Sequence, residues 1–313
     1  MPNPILQQRA LAEGKALVAM DDLEVISITG DDRHSWLNSI LSQELSKLEA
    51  GQSAEALQLD PQGHVEYVLH LHEDGERTWA IVERSTKGAL LTWLDKMIFR
   101  SRVEVHDHPE KLVFFGIGTE YGITWIDPWP GVVAGGVRYA DEAPLFGGRE
   151  HILEAAPEIE LVGQEAATAL RIAAHRPRQF TEVDDRSLPH ELDWLSTAVH
   201  LRKGCYRGQE TVAKVHNLGH PPRRLTFLHL DGSNHLLPEE TDVLLDGKVV
   251  GRVTSVAQHF EMGPIALAVL QRSVPIDANL MVGPISASQE VIVPPTAGRA
   301  AGLPPRSELN SRR

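Results

Sequence analysis

The sequence holds one cysteine, Cys205, in the stretch KGCYRGQE that runs from Lys203 to Glu210. Glycines stand on either side of it at 204 and 208, and Arg202, Lys203 and Arg207 add positive charge close by. The following QETVAKVHNLG reads as a short helix ending at Gly219, which would put Cys205 just before a helix N-terminus. Backbone N–H groups and the helix dipole favour negative charge there. Neighbouring cations act in the same direction, and together these conditions lower a thiol pKa and give a reactive thiolate. The competing reading is a small buried apolar cysteine near a turn, and the local sequence weighs the two about evenly.

Between Arg171 and Arg224 there are ten Lys or Arg against six Asp or Glu, a net +4 inside a chain of total charge −13. A reversal of sign around the only cysteine predicts an anionic ligand or partner; the alternative is a solvated face whose charges pair locally. The overall charge argues against a general affinity for nucleic acid or anionic membrane. A lone cysteine excludes an intramolecular disulfide framework and a cysteine-only metal cage within one chain.

Other candidates are weaker. His70 and His72 would share one face of a strand, and His106 and His108 are similarly close, but neither pair has Cys or carboxylate ligands at metal spacing. His216 and His220 follow Cys205 at a spacing that matches no hydrolase pattern. GIGTEYG, residues 116–122, departs from G-x-G-x-x-G and reads as a turn. No P-loop, G-x-S-x-G or kinase signature is present.

The elements that must position these residues follow from periodicity. LEVISIT alternates as a strand, and GDDRHSWLNSILSQEL has a helical apolar face with Asp31 or Asp32 as its cap. AEALQLD, HVEYVLHLH and RTWAIVE read as strands separated by the turns PQG and EDG. A second helix is predicted over STKGALLTWLDKMIF, capped by Ser85, and SRVEVHD returns to strand. A similar alternation restarts at KLVFFGIG, continues through GVVAGGVRY and REHILEA, and reaches a helix in ELVGQEAATALRIAAH. From Pro222 onward the chain reads as short strands with turns, including the hairpin LLDGKVV, which predicts a small antiparallel barrel or sandwich. The Pro-, Gly- and Arg-rich end predicts disorder. The first residues lack a basic flank before an unbroken apolar segment. No run approaches the roughly 18 apolar residues of a membrane helix, so a soluble cytoplasmic protein without membrane partners is expected.

KGCYRGQE resembles the signature of the YgfZ family of folate-binding iron–sulfur maintenance proteins. That family is similar in turn to the T-protein, the aminomethyltransferase of the glycine cleavage system. VISITGDDRHSWLNSILSQEL resembles the family's first strand and helix, LQLDPQGHVEYVLHLHEDG its D-x-x-G hairpin, and LRIAAHRP its L-R-I-E-A-G helix. LPHELDWL and GKVVGRVTS resemble the segment before the signature and a pair of barrel strands. The resemblance covers most of the chain.

It implies an α+β fold. Two ferredoxin-like α+β units and a C-terminal antiparallel β-barrel would form a three-domain ring around a central channel. The boundaries would be 1–110, 111–221 with the signature at its end, 222–294, and a disordered tail over 295–313, with the chain free to cross between the first two units. The resemblance further implies tetrahydrofolate or a derivative in the channel and a role in assembly or repair of iron–sulfur enzymes. Cys205 would be the working thiol, with Lys203, Gly204, Tyr206, Arg207, Gly208, Gln209 and Glu210 around the folate, joined by Arg171 and Asp60. No metal site is expected within one chain. Cys205 would ligate a cluster only transiently, shared with an iron–sulfur client or assembly protein. The alternatives are folate-dependent aminomethyl transfer and a non-catalytic module that binds folate or a partner. The sequence departs from L-R-I-E-A-G at two places: Ala173 stands for the acid and His175 for the glycine. A carboxylate at that acid position would accept N–H donors of a pteridine ring.

Overall fold

The computed structural model describes residues 3–232 and 241–301. The chain opens with α1 (Pro4–Ala12), whose N-terminus is capped by the Asn3 side chain. Then come β1 (Ala16–Ala19), β2 (Leu23–Thr29), α2 (Arg33–Ile40), β3 (Ser53–Leu59), β4 (Val65–Glu73), β5 (Thr78–Glu83), α3 (Arg84–Ile98) and β6 (Glu104–Asp107). The next elements are β7 (Leu112–Ile117), β8 (Ile123–Ile126), β9 (Gly148–Leu153), β10 (Glu160–Val162), α4 (Gln164–Ala173), the four-residue α5 (Gln179–Glu182), a 3₁₀ turn at Pro189–Leu192 and α6 (Gln209–Leu218). The last strands are β11 (Arg223–Leu230), β12 (Asp242–Leu245), β13 (Lys248–His259), β14 (Gly263–Gln271), β15 (Leu280–Val282) and β16 (Ile285–Val291).

Two five-stranded sheets and a barrel result. The first sheet has the order β3-β4-β5-β2-β6, and α2 and α3 cover it through a core of Ile26, Trp36, Leu37, Leu69, Leu90 and Leu94. The second has the order β10-β1-β7-β9-β8, with α1 and α4 on its apolar face. β11, β14, β13, β12, β15 and β16 close into a six-stranded antiparallel barrel. This is the α+β class with a C-terminal barrel that the sequence predicts. β1 pairs with β7 and β10, so the N-terminal segment joins the second sheet. The hairpin signal Asp246-Gly247 also holds: both residues have positive φ, as the tight turn between β12 and β13 requires. Among the described residues no helix is long and apolar enough to cross a membrane.

Local chemistry explains the departures. The helix expected over 30–45 ends at Ile40, where the carbonyls of Asn38, Leu41 and Gln43 turn to one lysine instead of continuing the ladder. Asp32 precedes α2 but its carboxylate makes no cap bond, because it accepts from the Arg102 backbone and guanidinium. Ser85 lies inside α3, which Glu83 precedes. GVVAGGVRY is not a strand: its backbone bonds go to the turn at 193–201, with Val133 N–H donating to Ser196 O and Val137 N–H to Leu195 O. Glu160–Val162 forms β10 beside β1, so α4 starts only at Gln164. The tail expected to be disordered begins in order. Ala297 is buried, and Arg299 and Ala300 donate backbone bonds to Gly219 O and His216 O at the end of α6. The remainder of that tail, 302–313, lies outside the described residues.

Candidate functional site

The two sheets meet through β8. Trp125 is buried, and its indole N–H donates to Ala54 O on β3 at 2.9 Å. Beside this seam lies a cleft that is partly open to solvent. Met20, Leu23, Val68, Phe115 and Phe146 give it apolar walls. Its polar groups come from both sheets and from the segment after α4: His70, Glu83, Asp127, Glu150, Arg176 and Arg178. A cleft between domains with apolar walls and a few convergent polar groups suits a small-molecule ligand.

One buried ion network forms its floor. Arg176, 3% exposed, donates to Glu55 Oε1 at 2.7 Å and to Asp127 Oδ2 at 2.9 Å. Among the described residues its Nη1 has no hydrogen-bond partner, an unusual condition for a buried donor. Thr197 donates to the other oxygen of Glu55 at 2.6 Å. His70 lies opposite Glu55 in the β3–β4 ladder and meets Glu150 Oε2 through Nδ1 at 2.8 Å. Burial opposes charge at both Glu55 and His70. Arg176 and His70 still hold the Glu55 carboxyl below its ordinary range, and Glu150 and Glu55 still raise the His70 pKa. Burial pushes Asp127 up to about 6 even though Arg176 is beside it.

The basic run around the cysteine is largely consumed by pairing. Arg178 makes a two-pronged pair with Glu83 and a third contact with Asp22. Arg223 joins Asp184 and Glu191, Arg207 faces Glu66 at 3.9 Å, and Arg171 donates to Glu182 at 2.9 Å. Asp22, Glu66 and Glu83 reach the run from outside it, and Glu182, Asp184 and Glu191 pair within it, so the net +4 does not present an open cationic face.

The predicted site residues fall into two places. Arg171 lines the cleft, and its guanidinium also donates to Ser255 Oγ of the barrel at 2.6 Å. The signature residues 203–210 do not line it. Cys205 is a free, exposed thiol. Lys203 was expected to hold that thiol ionised, but its ammonium is buried and donates to the carbonyls of Asn38, Leu41 and Gln43. Burial lowers its pKa to about 8. Tyr206 is buried, with the Lys203 ammonium 5.4 Å from its ring centroid. Gln209 donates to Lys203 O at 3.2 Å, and Arg207, Gly204 and Glu210 point to the exposed side. Gly208 precedes α6 with a left-handed φ of 81°. Asp60 belongs to the β3–β4 turn, where its carboxylate accepts from His64 N–H and pairs with the His64 ring at 2.8 Å. Asp60 is therefore brought to the signature rather than to the cleft. Ala173 is half-buried at the end of α4, and His175 occupies the left-handed region at φ 58°, which explains why a glycine suits that position.

Sequence reasoning missed Glu55, Asp127, Glu150 and Arg176. Charged residues within the mainly apolar strand stretches, Glu55 in AEALQLD and Glu150 in REHILEA, were the available signal. Buried charges need partners, and these two acids find cations across the seam.

No protein-family model matches the chain. A chloroplast protein of Arabidopsis thaliana that carries a provisional transferase name is 26% identical over 82% of this chain and 66% of its own length. A tRNA-modifying protein YgfZ from Edwardsiella ictaluri is 28% identical, covering 89% of this chain and 91% of that protein. An iron–sulfur cluster assembly factor IBA57 homolog, mitochondrial, from Mycosarcoma maydis is 25% identical over 65% of this chain, which spans 54% of that relative's length. In three dimensions the chain matches the glycine cleavage system aminomethyltransferase T of Bartonella henselae with a TM-score of 0.73, covering 95% of this chain and 90% of that one at 16% identity. In sequence this chain is similar to a YgfZ protein, and in fold it has the architecture of a glycine cleavage aminomethyltransferase.

Proposed function

We propose that this chain is an accessory protein for the assembly or repair of iron–sulfur enzymes, that it binds tetrahydrofolate or a derivative in the cleft between its two sheets, and that Cys205 is its working thiol. The observation that carries the reading is the pairing of that cleft with an intact KGCYRGQE signature on a different face. Similarity to a YgfZ protein and to an iron–sulfur cluster assembly factor supports the task. The cleft's apolar walls and its carboxylates suit a flat ring with N–H donors, although Ala173 removes one acid from the expected set. Exposure of Cys205 suits a thiol that meets a partner protein, since one cysteine cannot hold a cluster alone. The partner is an iron–sulfur client or assembly protein, and the setting is the cytoplasm.

Two measurements test this. Titration calorimetry with tetrahydrofolate should give a saturable heat; a flat titration removes the cofactor from the reading. In a strain that lacks its own counterpart, the wild-type chain should restore iron–sulfur enzyme activity and Cys205→Ala should not. Full rescue by the variant removes Cys205 from the mechanism. Aminomethyl transfer is the second reading, favoured by the shared architecture, and turnover with an aminomethylated lipoyl protein would decide for it.

A further inference from the structure

His70 is held as a plate. Its ring stacks on Trp125 with centroids 3.9 Å apart and planes 4° from parallel. Trp125 is buried, so that face of the imidazole is closed. Carboxylates flank the ring at its edges: Nδ1 is hydrogen-bonded to Glu150 Oε2 at 2.8 Å, and Nε2 faces Glu55 Oε1 at 3.8 Å, beyond hydrogen-bond reach. Yet His70 lines the cleft and 18% of its side chain is exposed. The surface left to face the cleft is the second face of the ring. Glu150 gives one carboxylate oxygen to His70, and its Oε1 has no hydrogen-bond partner among the described residues. Glu150 also lines the cleft.

We propose that the free face of His70, with Glu150 Oε1 at its rim, is the platform on which the cleft seats a planar heteroaromatic ring bearing N–H donors. The inference rests on reading the cleft as a folate site and names the residues that would hold the ring. Three features make the platform effective. Trp125 behind the imidazole and carboxylates at both edges stop it turning, so little side-chain freedom is lost when a ligand lands. The flat face of the imidazole offers a planar ring a surface to stack on, as aromatic faces do. A carboxylate oxygen at the rim accepts N–H donors from the ring's edge in a charge-assisted bond. The acid missing at position 173 would then have a substitute in Glu150, carried by β9.

Calorimetric titration of the full chain with pterin, 2,6-diaminopurine and tetrahydrofolate tests the proposal on the wild type, His70→Ala, His70→Phe and Glu150→Gln. Melting curves show which variants fold. The expected result is pterin binding that falls about tenfold or more in His70→Ala and largely survives in His70→Phe, where a flat surface remains. Glu150→Gln should weaken pterin binding by a similar factor. Difference spectra against Trp125→Phe should show a ligand-dependent change in Trp125 emission. Equal binding of pterin by wild type and His70→Ala overturns the platform while leaving the folate reading intact. His70-dependent binding of the two bare rings without any binding of tetrahydrofolate does the reverse. Failure of the wild type to bind either bare ring also overturns the platform. If His70→Ala does not fold, the comparison of His70→Phe with Glu150→Gln decides, and unchanged pterin affinity in Glu150→Gln counts against it.

Discussion

A Cβ atom on Gly208 would lie 2.6 Å from the carbonyl oxygen of Asp60. It would also meet Gly63 Cα at 2.9 Å, and the backbone there has the left-handed φ of 81°. The last glycine of the signature is thus the point where the motif closes against the β3–β4 turn. Gly204 differs: a Cβ there would meet nothing within 4 Å. Gly208→Ala should cost about 2–3 kcal/mol, from strained backbone and a forced shift. Gly204→Ala should stay within about 0.5 kcal/mol. Urea unfolding of both variants checks the contrast, and equal losses would refute this account of the two glycines.

Lys203 should behave as a structural residue. Its ammonium satisfies three carbonyls at the end of α2, and apolar replacement leaves all three without a donor. Lys203→Met should lower stability by about 2–4 kcal/mol. Tetrahydrofolate affinity should change less than twofold, because the side chain is turned away from the cleft. A stable variant with lost affinity would reverse this assignment.

Arg176 holds two buried carboxylates, so Arg176→Met should cost about 3–5 kcal/mol at neutral pH. The loss should be smaller at pH 5 than at pH 8, since Glu55 and Asp127 can then take up protons. The double variant Arg176→Met with Glu55→Gln should recover part of the loss. Denaturant midpoints with unchanged slope are the measurement, and a double variant less stable than the single one would contradict the pairing.

Acid stability should carry the mark of Glu73. Burial works against its ionised form, but bonds from Arg33, Thr78, His34 and the Gly75 N–H outweigh that and bring its pKa from 4.5 down to about 2. A carboxyl whose folded pKa is depressed contributes stability above its unfolded value, and the contribution fades as pH falls through its folded value. Wild type should therefore exceed Glu73→Gln in stability at pH 7, with the gap closing between pH 4.5 and about 2. Thermal melts across that range test it, and a gap independent of pH would exclude the linkage.

The sequence made the local features legible. Asp246-Gly247 demanded its hairpin, and Gly219 marked the end of α6. The family resemblance supplied the barrel and the two α+β units. Pairings across the fold stayed hidden. His70 was weighed as a ligand beside His72, because alternation puts both on one strand face; its real neighbours, Trp125 and Glu150, come from the other sheet. The basic run looked like an anion site because sequence counts charges but not partners, and Glu55, Glu83 and Asp127 reach it from far along the chain. Residues 131–139 alternate enough to pass for a strand, yet their hydrogen-bond partners lie in a turn that no periodicity announces.

The bond between Arg176 and Glu55 closes a sequence separation of 121 residues, and the one from Thr197 closes 142. The hairpin that presents Glu55 and His70 can form early, since β3 and β4 are neighbours in sequence. Its neutralising cation is made much later. On a growing chain the cleft therefore has no local precursor: its first wall waits, with a charge turned inward, for a residue not yet synthesised. Such long-range closure slows folding and leaves the half-built wall exposed to aggregation. Completion of the cleft should coincide with the final docking of the two sheets, so a ligand that fits it would favour the finished protein over every partly folded form.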